Sequence, residues 1–531
     1  MRAEPISDGI LTVEKFGEKE GGLNFGETLT IQSYRHPDKI AVEDDSKRIS
    51  YRELNDRVNR LVQGFSELGL KKGDIICHLQ GNTVEHFELL FAVAKAGMVR
   101  MPLNPRGEKS EFIKLVNTFE PQAFLYEQGF SGVVREISPY LKCPRFIFVG
   151  KTPPFGSIAY DALAVQDPNT EPDIEVEEGD PFLIQSTSGT TGFPKAALIS
   201  QGGLIRRAII RAMDLNNHSR GVYLGVTALA NTASLFYACS QLYLGGTVIL
   251  RNRFDPAKTA ETIREKQVTH LSMVPVMWEK ILRLPGLKAY DFRSLEIAVS
   301  YGAPLHQATK EKFIQDLSPN LFETFGITET GPISNLHPCD QLRKRNCVGQ
   351  PTMHTQIRIV DENGRKLPPK REGEIVVRTP YLFMGYFRNP EATAEVLRDG
   401  WFYTGDIGRL DEEHYLYILG RKKDMIISGG YNIYAEEIEG ILASHPKIHE
   451  SAVIGVPDEE WGESVKALVV LKAGSDANQE EIIEFCKARL ADYKKPRTVE
   501  FVPTLPRSGP GKIAKNALRE KYWAGLERKV N

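Results

Sequence analysis

Residues 186–195 read Ser-Thr-Ser-Gly-Thr-Thr-Gly-Phe-Pro-Lys, a run of hydroxyls and glycines that ends in one lysine. Apolar runs at residues 181–184 and 196–199 flank this stretch, and both are typical of buried β-strands. Glycines let backbone N–H groups approach phosphate oxygens, hydroxyls donate further hydrogen bonds, and Lys195 supplies a compact positive charge. The stretch is therefore predicted to be a turn between two strands that binds the phosphates of ATP.

Two other interpretations of this stretch are less favoured. A Walker A loop needs the order Gly-x-x-x-x-Gly-Lys-Ser/Thr with a helix directly after it, whereas Lys195 follows Pro194 and leads into an apolar run. A P-loop kinase or GTPase is thus not indicated. An ordinary Ser/Gly-rich surface turn has a similar composition. So many specified positions in one short run favour phosphate binding instead.

The loop resembles the phosphate-binding motif of the adenylate-forming superfamily, which includes acyl-CoA synthetases, luciferases and peptide-synthetase adenylation domains. One departure is Ala196, where that superfamily usually has glycine. Five more stretches resemble its motifs in the same order, within a resemblance that runs from about residue 30 to residue 521. They are Tyr301-Gly302-Ala303-Pro304, Glu323-Thr324-Phe325-Gly326-Ile327-Thr328-Glu329, Tyr403-Thr404-Gly405-Asp406, Gly420-Arg421-Lys422-Lys423-Asp424 and Pro506-Arg507-Ser508-Gly509-Pro510-Gly511-Lys512.

Length and composition limit the possible folds and functions independently of these motifs. A chain of 531 residues exceeds the roughly 250 to 300 residues of a single core, so more than one domain is expected. A net charge of -2 provides no field for nucleic acid or an anionic membrane. Six scattered cysteines without a C-x-x-C pair argue against a zinc ribbon or a disulfide framework, and free thiols fit a reducing, cytoplasmic location. The start lacks a secretory h-region, and the longest apolar stretch, residues 89–99, is too short to span a bilayer.

The order of sequence patterns predicts an α/β fold. Up to about residue 340, helical spacings alternate with short apolar runs, which indicates a large N-terminal domain of helix-covered, largely parallel sheets. Beyond residue 348, β-runs with turn residues indicate a small β-barrel subdomain. A small α+β C-terminal domain follows. We expect an adenylation domain with the ATP and acyl pockets at residues 1–422 and a mobile domain at residues 423–531.

The boundary between these domains is placed at a charged turn. By composition alone, residues 421–424 are a solvated turn, and only the match to the superfamily's hinge favours a pivot at Lys423. The resemblance implies that the C-terminal domain rotates about this hinge.

The same resemblance implies ATP- and Mg²⁺-dependent activation of a carboxylic acid to an acyl-adenylate, followed by transfer to coenzyme A to give acyl-CoA, AMP and pyrophosphate. A carboxylate is a poor acyl donor, so activation requires its attack on the α-phosphate of ATP, where positioned cations stabilise the charge. Lys512 closes a Gly/Ser/Pro-rich loop and is the expected catalytic cation. Glu329 supplies a carboxylate that suits Mg²⁺, and Thr328 is expected to donate its hydroxyl to the α-phosphate. Taken alone, each of these residues is also compatible with an exposed surface position.

The expected ATP site draws on five of the motifs. Missing or small side chains at Gly302, Ala303 and Pro304 leave a slot for adenine, Asp406 suits the ribose hydroxyls, and Arg421 reinforces it. The full set is Thr187, Ser188, Gly189, Thr190, Thr191, Gly192, Lys195, Gly302, Ala303, Pro304, Glu323, Thr324, Phe325, Asp406 and Arg421.

The acceptor and acyl sites are the least constrained. Ser428, Gly429 and Gly430 provide a floor for a pantetheine tunnel. Many superfamily members carry Pro-Leu-Phe-His-x-x-Gly at residues 228–234, but this chain lacks that histidine and phenylalanine. The acid is therefore unspecified, with a medium-chain or aromatic carboxylate favoured over acetate or a very long fatty acid. Candidates for the acyl pocket are Tyr223, Asn231, Ala233, Ser300, Tyr301 and Gly326.

Other functions stay open at this point. The acyl group could pass to a carrier-protein pantetheine or to another acceptor, although the few residues after Lys512 favour free CoA. A non-catalytic nucleotide-binding scaffold would keep the fold without needing the lysines and Glu329. The expected partners are a small carboxylate and CoA, without nucleic acid or stable membrane insertion, and a homodimer is a candidate assembly.

Overall fold

The structure, a computed structural model, describes residues 24–154, 156–163, 170–186, 195–507 and 513–524. Two of the sequence predictions lie outside these ranges. They are the centre of the predicted phosphate loop, with Thr187, Ser188, Gly189, Thr190, Thr191 and Gly192, and the predicted catalytic lysine, Lys512.

The first part of the chain alternates helices with short strands. Its helices are α1 (Phe25–Arg35), α2 (Tyr51–Glu67), α3 (Val84–Lys95), α4 (Lys109–Phe119), α5 (Ser131–Ile137) and α6 (Tyr160–Leu163). Its strands are β1 (Ile40–Glu43), β2 (Arg48–Ser50), β3 (Ile75–Leu79), β4 (Val99–Pro102), β5 (Ala123–Glu127), β6 (Phe146–Val149) and β7 (Ser157–Ala159).

The second part continues the alternation. Its strands are β8 (Pro181–Ser186), β9 (Ala196–Ser200), β10 (Val222–Gly225), β11 (Thr247–Leu250), β12 (His270–Met273), β13 (Ile297–Tyr301), β14 (Leu321–Ile327) and β15 (Gly331–Leu336). Its helices are α7 (Gln201–Asp214), α8 (Thr232–Tyr243), α9 (Pro256–Lys266), α10 (Pro275–Leu282) and α11 (Gln307–Asp316).

Strands dominate the third part. They are β16 (Gln350–Pro351), β17 (Gln356–Val360), β18 (Gly373–Arg378), β19 (Gly385–Tyr386), β20 (Leu397–Arg398), β21 (Trp401–Leu410) and β22 (Leu416–Arg421), with the short helix α12 (Pro390–Val396) between β19 and β20. The last part contains β23 (Ile426–Ser428), β24 (Tyr431–Ile433), α13 (Ala435–Ala443), β25 (Ile448–Asp458), β26 (Gly462–Leu471), α14 (Gln479–Lys487), β27 (Thr498–Phe501) and α15 (Lys515–Trp523).

Two large sheets form the N-terminal part, as predicted. A nine-stranded sheet has the order β16-β15-β14-β13-β12-β10-β11-β1-β2, and an eight-stranded sheet has the order β19-β9-β8-β4-β3-β5-β6-β7. Most neighbouring strands are parallel, as in β3 with β4 and β12 with β13. One hydrophobic cluster includes Phe182 of one sheet and Val248 of the other. The two sheets therefore share a core.

Helix α3 shows why the longest apolar stretch is not a membrane segment. Every residue of this helix is buried, and its apolar side chains join the core that the two sheets share. A helix that is buried on all sides belongs to the interior of a large protein. Among the described residues, no helix is long and apolar enough to cross a membrane.

The β-rich part and the C-terminal unit are separate sheets. Strands β17, β18, β21, β20 and β22 form a five-stranded antiparallel sheet, which is the predicted β subdomain. Strands β23 to β27 form a second five-stranded sheet with its own hydrophobic clusters. A single 3₁₀ turn, Lys422–Asp424, connects the two sheets. This turn contains Lys422 and Lys423, between which the sequence analysis places the domain boundary, and that boundary stays a prediction.

A buried ion pair attaches the last helix to this connection. The Arg519 guanidinium of α15 donates a hydrogen bond to the Asp424 carboxylate at 2.6 Å, and both residues are buried. Removing one partner of such a pair leaves an uncompensated charge in the interior.

Arg519→Met should therefore destabilise the C-terminal unit by about 3 to 5 kcal/mol. Urea unfolding followed by hydrogen exchange in residues 426–501 measures this loss. Arg489→Met is the matched control because Arg489 is exposed. An Arg519→Met variant as stable as this control would show that the pair does not hold α15 in place.

The same pair predicts a pH dependence. Burial raises the pKa of Asp424, but the adjacent Arg519 guanidinium outweighs it and holds that pKa below the usual value of 3.8. A depressed pKa contributes stability above the unfolded-state pKa, and this contribution disappears as the pH falls through the folded-state pKa. The stability difference between wild type and Arg519→Met should shrink below about pH 4. A difference that is unchanged down to about pH 2 would contradict this assignment.

Candidate active site

The strands that border the predicted phosphate loop pair as expected. Strands β8 and β9 are antiparallel, with Gln185 opposite Ala197 and Ser186 opposite Ala196. The predicted turn between two strands is thus confirmed at its base. Strand β19 adds to β9 and places Tyr386 opposite Ala197. A tyrosine that the sequence analysis did not select therefore stands beside the exit of the loop.

Tyr386 connects the loop lysine to the predicted metal ligand. Its hydroxyl donates a hydrogen bond to the Glu329 carboxylate at 2.8 Å, and the Lys195 ammonium lies 5.4 Å from its ring centroid. Lys195 also pairs with Glu395 at 3.5 Å. Burial and the neighbouring Glu329 carboxylate raise the pKa of Tyr386, so its hydroxyl keeps its proton and acts as a donor. The predicted phosphate cation and the predicted metal carboxylate are thus neighbours.

Arg207 fixes the backbone that carries this carboxylate. Its fully buried guanidinium donates to the carbonyl oxygens of Thr328 and Glu329, at 3.0 Å each, and to that of Tyr381 at 3.0 Å. Burial lowers the pKa of Arg207 to about 9, a value at which it still carries its charge at neutral pH. By donating to three carbonyls, the charged guanidinium holds the segment between β14 and β15 against α7 and against the segment before β19.

Thr328 and Glu329 leave side chains available to a ligand. Both residues are half-buried, and the Thr328 hydroxyl lies 3.4 Å from that of Thr232 at the start of α8. The described residues contain no cluster of three metal-ligating side chains. A single carboxylate suits Mg²⁺, which keeps several waters and takes its other ligands from phosphates. Glu329 therefore fits Mg²⁺, whose other ligands would be waters and the phosphates of a bound nucleotide.

The residues predicted for adenine separate into two groups. Gly302, Ala303 and Pro304 are exposed at the end of β13, and Gly302 has the left-handed φ of 84°. These three exposed residues leave the end of β13 accessible to a ligand. By contrast, the Glu323 carboxylate is buried in an ion pair with Lys310, and the Thr324 hydroxyl donates to Asn335 at 2.7 Å. Any contact of Glu323 with a nucleotide would involve its backbone.

Asp406 and Arg421 lie together, next to the connection between units. They occupy facing positions on β21 and β22, and their side chains approach to 3.3 Å. A cavity of about 360 Å³ opens beside this hairpin, and its lining includes Gly405, Lys422 and Glu395. Glu395, which lines this cavity, also pairs with Lys195.

The predicted pantetheine residues sit at a tight turn of the C-terminal unit. Ser428 ends β23 and is buried, and the Gly429 N–H donates to the Trp461 carbonyl at 2.9 Å. Gly430 has a φ of 82°, and open space lies where its Cβ would be. Directly after it, the exposed ring of Tyr431 stacks on Tyr493 with centroids 4.7 Å apart. The turn thus presents bare backbone beside an aromatic surface.

The predicted acyl residues converge around the start of α8. Tyr301 donates to Thr227 at 3.1 Å and contacts the Ser234 hydroxyl at 2.9 Å, and Tyr223 contacts Ser272 at 2.8 Å. Asn231 caps α8 without a side-chain cap hydrogen bond, which leaves its amide available.

The remaining acyl candidates differ in their surroundings. Ala233 is half-buried on the first turn of α8, and Ser300 is buried on β13. Gly326 is exposed, but a Cβ at this position would lie 2.5 Å from the Gly331 carbonyl oxygen. The close approach of β14 and β15 is therefore sufficient to require glycine there.

Three comparisons with known proteins give matches that cover most of this chain. The model of a family described as AMP-binding enzyme matches residues 29–387, and that of the AMP-binding enzyme C-terminal domain matches residues 437–512. Feruloyl-CoA synthase from an Amycolatopsis species is 35% identical over 493 residues, which are 92% of this chain and 96% of that protein. Indoleacetate–CoA ligase from Aromatoleum aromaticum is 34% identical over 510 residues, with 94% and 98% covered. The crystal structure of ATP-bound MatB from Rhodopseudomonas palustris has a TM-score of 0.85 at 30% identity, covering 94% of this chain and 99% of that chain.

The roles of Arg207 and Glu329 predict two different defects. Arg207→Met should cost about 2 to 4 kcal/mol of stability, because three carbonyls lose their charged donor, and should weaken Mg²⁺–ATP binding about tenfold or more. Glu329→Gln should stay within about 1 kcal/mol of wild-type stability while losing the Mg²⁺ dependence of binding. Urea unfolding and calorimetry measure the two quantities.

Arg206→Met is the matched control for Arg207→Met, since Arg206 is the partly exposed neighbour on the same helix and pairs with Glu178. If both arginine variants behave alike, Arg207 does not hold the Thr328–Glu329 segment.

Proposed function

The chain belongs to the AMP-binding enzyme family, and on this premise we propose that it is an ATP-dependent carboxylate–CoA ligase that acts on an aromatic or medium-chain acid. One observation supports this most strongly. The Arg207 fork holds Thr328 and Glu329 at the point where the acyl residues of α8 meet the strands around the predicted phosphate loop. An acid in the pocket would thus present its carboxylate to the α-phosphate of a bound nucleotide.

The first half-reaction is an in-line displacement. A carboxylate oxygen attacks the α-phosphorus, and pyrophosphate leaves, so that an acyl-adenylate remains. Thr328 donates a hydrogen bond to the α-phosphate, and Lys195 neutralises charge beside the loop. Lys512, on its glycine-rich loop, supplies the cation between carboxylate and phosphate. Mg²⁺ held by Glu329, when bound, offsets charge on the phosphate oxygens.

The second half-reaction transfers the acyl group. The thiol of CoA attacks the acyl carbon and AMP leaves. We propose that rotation about Lys423 withdraws Lys512 and brings Gly430 to the acyl-adenylate. The open space at Gly430 suits a narrow pantetheine passage, and the stacked Tyr431 and Tyr493 offer an aromatic face for the nucleotide end of CoA.

Two relatives support the choice of acid. The relatives compared above are named for feruloyl-CoA and indoleacetate, both aromatic. Among the acyl candidates, Tyr223 and Tyr301 have hydroxyl partners, a setting that suits a ring with polar substituents. All six cysteines are free, which supports a reducing compartment such as the cytoplasm. A homodimer is the proposed assembly, and sedimentation tests it.

A panel of acids tests the proposal. At least one aromatic acid should support ATP–pyrophosphate exchange, and addition of CoA should yield the thioester and AMP. A carrier protein supplied in place of CoA measures the alternative acceptor. If ATP binds by calorimetry and no acid releases pyrophosphate, the non-catalytic scaffold replaces the ligase.

The proposed rotation predicts separable half-reactions. Lys512→Ala should abolish adenylate formation while sparing thioester formation from a pre-made acyl-adenylate. Lys423→Pro restricts φ at the pivot and should impair the second step more than the first. Pre-steady-state assays of each step with each variant measure this split. Equal losses in both steps for both variants would exclude the rotation.

A further inference from the structure

A buried arginine contacts Tyr237 on α8, the helix that carries the acyl candidate Ala233. Arg211 is on the last turn of α7, and only 5% of its surface is exposed. Its guanidinium lies 4.0 Å from the centroid of the Tyr237 ring. Its buried Nη1 has no hydrogen-bond partner among the described residues, and none of their carboxylates forms an ion pair with it. The neighbouring arginine on this face of the helix, Arg207, is by contrast fully engaged with carbonyls.

The nearest carboxylate along the helix is directed elsewhere. Asp214 lies three residues after Arg211, but one of its oxygens accepts from the Asn335 amide at 3.2 Å and the other from the Met353 N–H at 3.4 Å. It therefore contributes charge in the vicinity of Arg211 without bonding to the guanidinium.

A second polar atom beside Arg211 is unsatisfied. The hydroxyl of Tyr237 is buried and has no hydrogen-bond partner among the described residues. The Tyr237 hydroxyl lies near the side chain of Thr324, but at a geometry that falls short of a hydrogen bond. Buried polar groups in folded proteins are usually paired, so unpaired groups that converge on one place indicate a missing partner.

The chemistry of these groups specifies that partner. A guanidinium removed from water without a counter-charge costs several kcal/mol, and this penalty falls when an anion binds. Its planar fork matches the two oxygens of a carboxylate, and the Tyr237 hydroxyl can donate a further bond to the same group. Water could satisfy a hydroxyl, but a carboxylate also neutralises the cation.

The position fits one end of a short acid. Arg207, which holds the Thr328–Glu329 segment, and Arg211 are four residues apart on α7, a rise of about 6 Å along the helix. On α8, Tyr237 likewise lies four residues after Ala233. This span is close to that of an aromatic ring with substituents at opposite positions.

We infer that Arg211 and the Tyr237 hydroxyl bind a second carboxylate, so that the preferred substrates are dicarboxylic acids about one aromatic ring long. This substrate class rests on the proposed ligase function. Arg211 is then a specificity residue, since it contacts the part of the acid that does not react.

Two acids of matched shape test the inference. Terephthalate carries a second carboxylate where 4-methylbenzoate carries a methyl group. Wild type should activate terephthalate with a kcat/KM at least about tenfold higher in ATP–pyrophosphate exchange. Arg211→Met should remove this preference and leave 4-methylbenzoate within about threefold of wild type. Arg211→Lys should retain part of the preference, and Tyr237→Phe should lose a smaller part.

Direct binding makes the outcome independent of turnover. Calorimetry should show terephthalate binding to wild type and to the control Arg206→Met, and at least about tenfold weaker binding to Arg211→Met. Equal affinities of wild type and Arg211→Met for terephthalate would overturn the inference even if the protein were no ligase. Equal loss of both acids in a folded Arg211→Met variant would also overturn it, because that result indicates a structural role. A ligase that activates both acids equally in wild type would retain the proposed function and lose this specificity.

Discussion

The site depends on the way in which Arg207 is buried. A fully buried guanidinium has to find partners for its donors, and here it finds the carbonyl oxygens of Thr328, Glu329 and Tyr381. These hydrogen bonds join α7, the turn between β14 and β15, and the segment that leads to β19. Because β19 pairs with the strand leaving the phosphate loop, Tyr386 and Glu329 are held at a fixed distance from that loop. One charge that cannot return to water thus sets the relative positions of the predicted metal carboxylate, the α-phosphate donor and the mouth of the acyl pocket.

The connection to the C-terminal unit is built differently. On its N-terminal side, Arg421 with Asp406 and Lys422 with Glu374 are partly exposed pairs at 3.3 and 3.4 Å. Both pairs lie within the N-terminal unit, and exposed pairs contribute little free energy. On its C-terminal side, the buried pair of Asp424 and Arg519 belongs to the unit that is proposed to move. This strong contact beyond the connection suits a C-terminal unit that moves as one rigid body.

Much of the fold could be predicted because its signals are local. Continuous apolar runs at 181–184 and 196–199 correspond to β8 and β9, and the apolar stretch after residue 84 is the buried helix α3. The pairing of Asp406 with Arg421 also agrees with their predicted joint role. The decisive arginines were missed because Arg206, Arg207 and Arg211 have the composition of a solvated helix face. Only the i, i+4 spacing of Arg207 and Arg211 hinted at a common side, and tertiary contacts decide which side is buried. The ion pair of Glu323 with Lys310 joins two elements whose contact no local pattern encodes.

The central claim is that a carboxylate oxygen attacks the α-phosphorus of ATP. Labelling both carboxylate oxygens of an accepted acid with ¹⁸O, and then analysing the phosphorus products by mass spectrometry after transfer to CoA, tests it most directly. The claim predicts one ¹⁸O atom in AMP and none in pyrophosphate, because the oxygen that bridges acyl carbon and phosphorus leaves with AMP. Label in inorganic phosphate or pyrophosphate, or unlabelled AMP beside thioester product, would contradict an acyl-adenylate route.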